Sequence, residues 1–375
     1  MKKVGILTFH AALNYGSVLQ AQATQAVISR LGYDAELIDY RLPVMDRYDS
    51  VYCARGHHGW KGRALRALYP LKKRERTERI RKFEAYEKEH LVMSDRRYSS
   101  PRELEEIREA YDVFVSGSDQ IWSEGVPEIK LSEEGAIRGY FLAFTDRKKI
   151  SYASCTAAMK EEALRAYQKE LERYAFLSAR EKKGADAIEK ILGRKVELVL
   201  DPSLLLTKED WAAFAGSERL VEEPYLLLYS LRCGRVQRSW MNAIKAFNKS
   251  RKLKVVVIAP YFELPMPGAL NMLASGPEEF LNLFRYAEVV FTDTFHGTAF
   301  AVNFNRPVYS IGNKYWKEDV RKSFLLQSLG MEDRLIGDEA DITAVEDYHY
   351  DYSRVNRVLE EKREASLAYL KAALE

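Results

Sequence analysis

The feature that most constrains the fold is a repeated alternation of short apolar strands with helical segments along the chain. The N-terminal half opens with an apolar run at 4–9, a polar loop, and apolar residues at helical spacing that end at Gly32. The C-terminal half repeats the pattern, with predicted strands at 225–231, 253–259, 289–292 and 308–311. This alternation predicts an α/β protein with mostly parallel sheets covered by helices on both faces, the doubly wound arrangement.

Further elements are predicted from the same periodicities. Ser100, Pro101 and Glu103 mark a capped helix start, with the hydroxyl at the N-cap and proline at the first helical position. Additional strands are predicted at 35–40, 111–115, 140–144, 149–153, 175–179 and 196–200, and helices at 159–174 and 352–374.

The length of 375 residues indicates two domains, because single hydrophobic cores stop growing near roughly 250 residues. We place the boundary near residue 175. The sequence then predicts a Rossmann-like domain at 1–174, a second at 175–345, and a C-terminal helix at 346–375 that packs back across both.

Composition and charge favour a cytoplasmic protein. The longest apolar runs fall far short of the roughly 20 residues that a membrane-spanning helix needs, and the N-terminal apolar run is too short for a secretion signal. Cys53, Cys155 and Cys233 lack the spacing of a disulfide framework or a zinc site, so no metal or cofactor is predicted.

One segment departs from the near-neutral net charge of +3. Ten lysines and arginines lie between Lys61 and Lys82, with only Glu75 and Glu78 among them. Three alternatives stay open for the segment: it holds the protein near anionic lipid headgroups at the inner face of a membrane, it holds a polyanionic acceptor, or it is an ordinary solvated helix face. A nucleic-acid role is not favoured, because no aromatic side chains are interleaved with the basic ones as stacking platforms.

Four polar clusters follow predicted strands, at the edge where open α/β sheets bind ligands. Two lie in the first predicted domain, namely His10 with 14–17, and 116–120, and two lie in the second, at 178–183 and 293–298. The residues predicted to contact substrate are His10, Asn14, Tyr15, Gly16, Ser17, Ser118, Arg180, Gly297 and Thr298.

Each candidate has a structural alternative. Asn14 can cap a helix, and Asp119 either accepts a hydroxyl proton as a catalytic base or bonds its own backbone at a turn. Arg180 suits bidentate contact with a phosphate or carboxylate, or it forms a structural salt bridge with Glu181 or Asp201. His296, between a strand and a helix that opens at Gly297, is the histidine best placed for catalysis.

Taken together, the motifs resemble the polysaccharide pyruvyl transferase family. The resemblance is carried by the N-terminal run from Gly5 through Asn14-Tyr15-Gly16-Ser17, and by three later blocks. These are Ser116-Gly117-Ser118-Asp119-Gln120-Ile121-Trp122, then Ser178-Ala179-Arg180-Glu181-Lys182 with Asp201-Pro202, and finally Asp293-Thr294-Phe295-His296-Gly297.

The resemblance implies two Rossmann-like domains similar to GT-B glycosyltransferases, the first on the acceptor side and the second on the donor side. It also implies a ketal pyruvyltransferase that uses phosphoenolpyruvate as donor and a sugar of an exopolysaccharide, or of its lipid-linked precursor, as acceptor. An essential histidine and a donor-contacting arginine of the family fall on His296 and Arg180. Many relatives carry a basic residue two positions before the histidine, where this chain has Thr294.

Ketal formation requires an acid, a base and an anion cradle. We assign the acid or phosphate-stabilising role to His296, the cradle to Arg180 and the base to Asp119. A GT-B-like glycosyltransferase that uses a nucleotide sugar, and a noncatalytic glycan-binding protein, are the alternatives, because a fold does not fix a function.

Overall fold

The computed structural model of the protein describes residues 1–45, 73–157, 159–231, 235–258, 266–312, 320–337 and 339–375. These residues divide into two compact units. Of the described residues, those within 1–45, 87–206 and 358–375 form the first unit, and those within 73–86 and 207–357 form the second. Residues 61–72 of the basic segment, which was predicted to associate with a membrane, are not among the described residues, so that prediction remains untested.

The first unit is built on a parallel sheet. Strands β1 (Lys3–Leu7), β2 (Asp34–Leu37), β3 (Val113–Ser116) and β4 (Lys148–Ser151) stand in the order β2-β1-β3-β4. A short parallel pair, β5 (Ser178–Ala179) and β6 (Glu197–Leu198), continues the sheet beyond β4 through bridges such as that between Ile150 and Phe176. On the other side of β2, residues 93 and 98 make parallel bridges, which extends the sheet by one more position.

In the N-terminal half the helix that begins at Tyr15 is capped by the side chain of Asn14, and the helix that begins at Pro101 is capped by Ser100. The cap at Ser100 was predicted, and the cap at Asn14 is the alternative that the sequence left open. The helices are α1 (Tyr15–Arg30), α2 (Lys73–His90), α3 (Pro101–Leu104), α4 (Pro127–Lys130), α5 (Ile137–Tyr140), α6 (Glu161–Arg165), α7 (Gln168–Glu172) and α8 (Lys182–Leu192).

The second unit contains a six-stranded parallel sheet. Its strands are β7 (Tyr225–Tyr229), β8 (Lys254–Ile258), β9 (Leu270–Asn271), β10 (Val289–Thr292), β11 (Val308–Ile311) and β12 (Leu335–Ile336). They stand in the order β12-β11-β10-β7-β8-β9. Counted from the first strand of the unit, this is the 3-2-1-4-5-6 order of dinucleotide-binding folds.

The helices of the C-terminal half are α9 (Lys208–Ala212), α10 (Arg235–Arg251), α11 (Pro277–Tyr286), α12 (Phe295–Asn303), α13 (Val320–Leu329), α14 (Glu339–Thr343) and α15 (Ser353–Leu374). All residues of β7, β10 and β11 are buried, as expected for parallel strands that helices cover on both faces. Within the described ranges, no helix combines the length and the apolar character needed to span a bilayer.

Two predicted elements and one predicted domain boundary differ from the structure. Residues 140–144, predicted as a strand, form the end of α5 and a turn in which Leu142 has a φ of +52°. The single helix predicted at 159–174 is two short helices, α6 and α7. The first unit also extends through Leu206 instead of ending at residue 174, because the β5-β6 pair continues its sheet. The C-terminal helix predicted at 352–374 is α15, and from Val358 onward it belongs to the first unit.

Candidate active site

Each unit has a topological switch point, where the chain leaves one side of its first strand and returns on the other. In the first unit it lies between β1 and β3, and in the second between β7 and β10. Ligands of open α/β sheets bind in the crevice at the carboxyl ends of such strands. The predicted clusters after β1, β3 and β10 lie at these two switch points, and the cluster at 178–183 follows β5.

Asp119 follows β3 in a conformation that only a few non-glycine residues adopt. Its φ is +68°, in the left-handed region that aspartate tolerates better than most side chains. The carboxylate does not simply cap its own turn: Oδ2 accepts a hydrogen bond of 2.9 Å from Ser17 Oγ, in the first turn of α1. A backbone held in a sparsely populated region by such contacts is typical of functional sites.

Arg180 follows β5 directly and belongs to the first unit, not to the second domain where the sequence placed it. Its guanidinium is buried, with Nη1 2.7 Å from Asp201 Oδ2, Nη2 3.7 Å from Asp119 Oδ1 and Nε 3.9 Å from Glu181 Oε2. Burial lowers the pKa of Arg180. The charges of Cys155 and of the three carboxylates raise it by more, so the pKa lies well above its usual range.

This environment favours the structural salt bridge over the phosphate cradle that was predicted for Arg180. A phosphate or carboxylate that approached the guanidinium would meet three negative side chains already around it, and like charges at this distance repel strongly in a buried site. The salt bridge is therefore the alternative that this structure favours, with Arg180 holding Asp119 and Asp201 in place, and the phosphate cradle stays a prediction.

Ser118 and Asp201 extend the same network. Asp201 Oδ2 accepts a 2.9 Å bond from Ser118 Oγ, and Oδ1 accepts from the backbone nitrogen and the hydroxyl of Ser203 at 3.0 and 2.6 Å. Several donors on one buried carboxylate fix its position. In this structure Ser118 thus contributes its hydroxyl to the ion-pair network.

The remaining candidates of the first unit serve the β1-α1 connection. Asn14 Oδ1 accepts from the backbone nitrogen of Gly16 at 3.0 Å, which is the capping role left open by the sequence, and Tyr15 is buried. The ring of His10 is buried, with Nδ1 3.0 Å from the carbonyl oxygen of Thr8 and Nε2 3.0 Å from Asp39 Oδ1. Both ring nitrogens therefore already have protein partners.

The carboxyl group of Asp39, which faces His10, is held in its ionised form. Burial raises the pKa of Asp39, but the hydrogen bond from His10 and the charges of His10 and Arg41 outweigh this effect, so the pKa lies below its usual range. The pair fixes the loop that leads into α1 and hence Ser17.

The switch point of the second unit has the same design as that of the first. Asp293 follows β10, and its Oδ2 accepts a 2.6 Å bond from Ser230 Oγ, which follows β7; its Oδ1 accepts from the backbone nitrogen of Leu231 at 3.1 Å. In both units a serine after the first strand, or in the helix that follows it, donates to an aspartate across the switch point.

His296 is the second residue of α12 and lies at this switch point. Thr294, the N-cap of the helix, accepts from the backbone nitrogen of Gly297 at 2.8 Å. The hydroxyl of Thr298 donates to the carbonyl oxygen of Thr294 at 2.9 Å and lies 2.9 Å from Ser310 Oγ. Because His296 is in the first turn of α12, it lies at the positive end of the helix dipole. Its side chain is shielded from bulk water, since the residue is only 8% exposed.

Sequence reasoning missed Ser230 and Lys322. Lys322 is buried, and its Nζ donates to the carbonyl oxygens of Asp293 and Ile311 at 3.1 and 2.6 Å. The sequence did contain a signal for Lys322, because its spacing places it on the same helix face as Leu325, Leu326 and Leu329. A lysine on an apolar helix face is unusual, because burial of an ammonium is costly.

Across the described parts of the chain, no three His, Cys, Asp or Glu side chains are grouped as metal ligands would be. Comparison with known families identifies the chain. Residues 14–315 match the model of the family described as polysaccharide pyruvyl transferase. The chain belongs to the polysaccharide pyruvyl transferase family. Membership indicates a transferase that acts on polysaccharides and has a glycan acceptor, and it confirms the resemblance drawn from the motifs.

Comparison with curated proteins gives no match. Among solved structures, two of UDP-GlcNAc 2-epimerase from Methanocaldococcus jannaschii, one of them in complex with UDP-GlcNAc and UDP, are similar to this chain at 12% identity. Each comparison covers 96% of this chain and 99% of the other, with TM-scores of 0.51 and 0.50. At this identity the likeness shows the fold alone, and it confirms the predicted α/β fold of the GT-B class.

Proposed function

We propose that the protein transfers the pyruvyl group of phosphoenolpyruvate to a sugar of a surface polysaccharide, or of its lipid-linked precursor, and forms a cyclic ketal. The observation that carries the proposal is the match of most of the chain to the polysaccharide pyruvyl transferase family. The two switch points support it, because each holds polar side chains at the position where α/β sheets bind ligands.

In this proposal His296 acts on the donor in the second unit. Its position in the first turn of α12 combines an imidazole with the backbone N–H groups and the positive dipole of a helix N-terminus. Such an arrangement suits the phosphate of the donor. An imidazolium there can protonate the donor or stabilise the departing phosphate, which are the tasks of a general acid.

Asp119 acts as the base toward the acceptor in the first unit. Ser17 and Arg180 hold its carboxylate, and its side chain retains 12% exposure, so that a sugar hydroxyl can reach it. A carboxylate oxygen that accepts the hydroxyl proton makes the sugar oxygen a stronger nucleophile. Arg180 enters the proposal as a positioning residue.

The reaction balances with these groups. A proton adds to C3 of the donor while a sugar hydroxyl adds to C2 and gives its proton to the base. Phosphate then leaves C2 with the electrons of the C–O bond, and a second hydroxyl of the same sugar closes the ring and gives its proton to the departed phosphate.

Phosphate release from phosphoenolpyruvate, measured with candidate lipid-linked sugars as acceptors, tests the proposal. Loss of an acid group typically costs ~10²–10⁴-fold in rate, so His296→Ala should lose most of the activity. His349→Ala is the matched control, because His349 lies in the same unit and its side chain is 75% exposed. Equal rates for parent and His296→Ala would refute the role of His296.

Thermal shift separates the proposal from a nucleotide-sugar glycosyltransferase. A ligand present at 100 times its Kd stabilises the folded protein by about 2.7 kcal/mol. We expect stabilisation by phosphoenolpyruvate and none by UDP or GDP sugars. Stabilisation by a nucleotide sugar alone would favour the glycosyltransferase, and glycan binding without phosphate release would favour a noncatalytic protein.

A further inference from the structure

Lys322 is buried at the carboxyl edge of the second sheet. It is the third residue of α13 and is 1% exposed. Its Nζ donates a 2.6 Å hydrogen bond to the carbonyl oxygen of Ile311, the last residue of β11. A second bond of 3.1 Å goes to the carbonyl oxygen of Asp293, directly after β10. One ammonium group thus joins the ends of two neighbouring strands.

The residue that Lys322 contacts is also held from the opposite side. The carboxylate of Asp293 accepts from Ser230 and from the backbone of Leu231, both of which follow β7. Asp293 is therefore fixed by its side chain to one neighbouring strand end and by its carbonyl group to Lys322. The next residue is the N-cap of α12, and His296 follows two positions later.

The cost of burying the ammonium of Lys322 indicates that it has a role that an apolar side chain cannot fill. An apolar side chain such as methionine would fill the same helix face without the desolvation cost of an ammonium. An apolar side chain cannot donate directional, charge-assisted hydrogen bonds to two carbonyl oxygens at once. These two bonds connect the residue that precedes the N-cap of α12 to the end of β11.

We propose that Lys322 is a positioning residue that fixes the turn from Asp293 to His296 and so sets the position of the first turn of α12. Its effect on catalysis rests on the proposed function of His296. A displacement of about 1 Å at a catalytic group can cost on the order of 10²-fold in rate, so a looser turn would lower kcat.

Hydrogen exchange of the backbone amides tests the positioning role without any assumption about the reaction. In Lys322→Met we expect faster exchange in peptides that cover 289–303 than in the parent protein. Lys149→Met is the matched control, because Lys149 is also 1% exposed and donates to a carbonyl oxygen, that of Leu142 in the first unit, at 2.9 Å. It should leave exchange in 289–303 at the parental rate.

Activity provides the second readout. Lys322→Met should lower kcat for phosphate release about 10-fold or more with a smaller change in KM, whereas Lys149→Met should change neither. Unchanged exchange in 289–303 in folded Lys322→Met overturns the proposal, as does faster exchange with a parental kcat. If Lys322→Met does not fold, Lys322→Gln, which keeps a polar donor, is measured with the same expected and refuting results.

The two proposals fail in different ways. If the parent protein releases no phosphate from phosphoenolpyruvate with any acceptor, the proposed function is wrong, and the exchange rates alone decide the role of Lys322.

Discussion

Gly297, the third residue of α12, occupies a position where even a methyl group does not fit. A Cβ atom there would lie 2.2 Å from Thr292 Oγ1, 2.7 Å from Thr294 Oγ1 and 2.8 Å from Tyr229 Cδ1. Thr292 and Tyr229 are buried ends of β10 and β7. Gly297→Ala should therefore push the first turn of α12 away from the switch point of the second unit.

The expected magnitude has three parts. Overpacking of a buried site costs about 1–3 kcal/mol, and displacement of Thr294, which accepts the N–H of residue 297, removes a helix cap worth about 1 kcal/mol. Alanine in place of glycine returns about 1 kcal/mol through helix propensity. The free energy of unfolding should fall by about 1–3 kcal/mol, which lowers Tm by roughly 2–12 °C for a unit of this size.

Thermal unfolding and phosphate release are the assays. Because His296 precedes Gly297, kcat should fall in the folded variant as well. Gly337→Ala is the control, since a Cβ atom there meets nothing within 4 Å, and it should change stability by less than about 0.5 kcal/mol. If Gly297→Ala raises Tm, as helix propensity alone predicts, the close packing of α12 against β7 and β10 is wrong.

Three further predictions concern Ser17, Lys149 and the effect of phosphoenolpyruvate on the two units. Ser17→Ala should lower kcat and destabilise the first unit by about 1–3 kcal/mol in urea unfolding, since it removes the donor to Asp119; parental values for both would contradict the role of Ser17. Burial lowers the pKa of Lys149 to about 8. The folded state therefore loses this proton before the unfolded chain does, and stability should rise by on the order of 1–3 kcal/mol between about pH 8 and 10; a rise that persists in Lys149→Met would refute the assignment. Phosphoenolpyruvate should slow amide hydrogen exchange in 289–303 and not in 113–122. The reverse pattern would show that the donor binds to the first unit and contradict the proposal.

The sequence predicts the elements whose signals are local. The strands at 289–292 and 308–311 match β10 and β11 to the residue, because each is a short apolar run between turn signals. The cap at Ser100 is also confirmed, and at Asn14 the structure shows the capping alternative, since capping depends on a few neighbouring residues. Asp119 and His296 lie at switch points as expected for residues that follow parallel strands.

The strand predicted at 140–144 shows where periodicity fails. Tyr140, Phe141 and Leu142 are fully buried, as residues of a buried strand would be. The carbonyl oxygen of Tyr140 accepts bonds from Ser116 Oγ and Trp122 Nε1, so side chains satisfy the backbone in place of a neighbouring strand. The ring of Phe141 stacks on Trp122, and a short apolar run alone cannot distinguish this turn from a strand.

The extent of the first unit depends on pairings that are distant in sequence. Ser154 bridges to Ala179, and α15 returns to the first unit from residue 358 onward. The strand-helix alternation is the same on both sides of residue 175, so the sequence contains no local mark of the true limit. For the same reason it could not reveal that Arg180 shares its environment with Asp119.

The charges around the two switch points argue for different ligands. In the first unit Asp119, Glu181 and Asp201 surround one guanidinium, so the carboxylates exceed the cation and would repel a doubly charged phosphate. A neutral sugar hydroxyl, by contrast, can donate to such a carboxylate. In the second unit His296 lies at the positive end of α12, and the ammonium of Lys322 donates to the carbonyl oxygen of Asp293, whose carboxylate is a negative group at this edge. This balance of charge supports the proposal that the second unit binds the phosphorylated donor and the first the glycan.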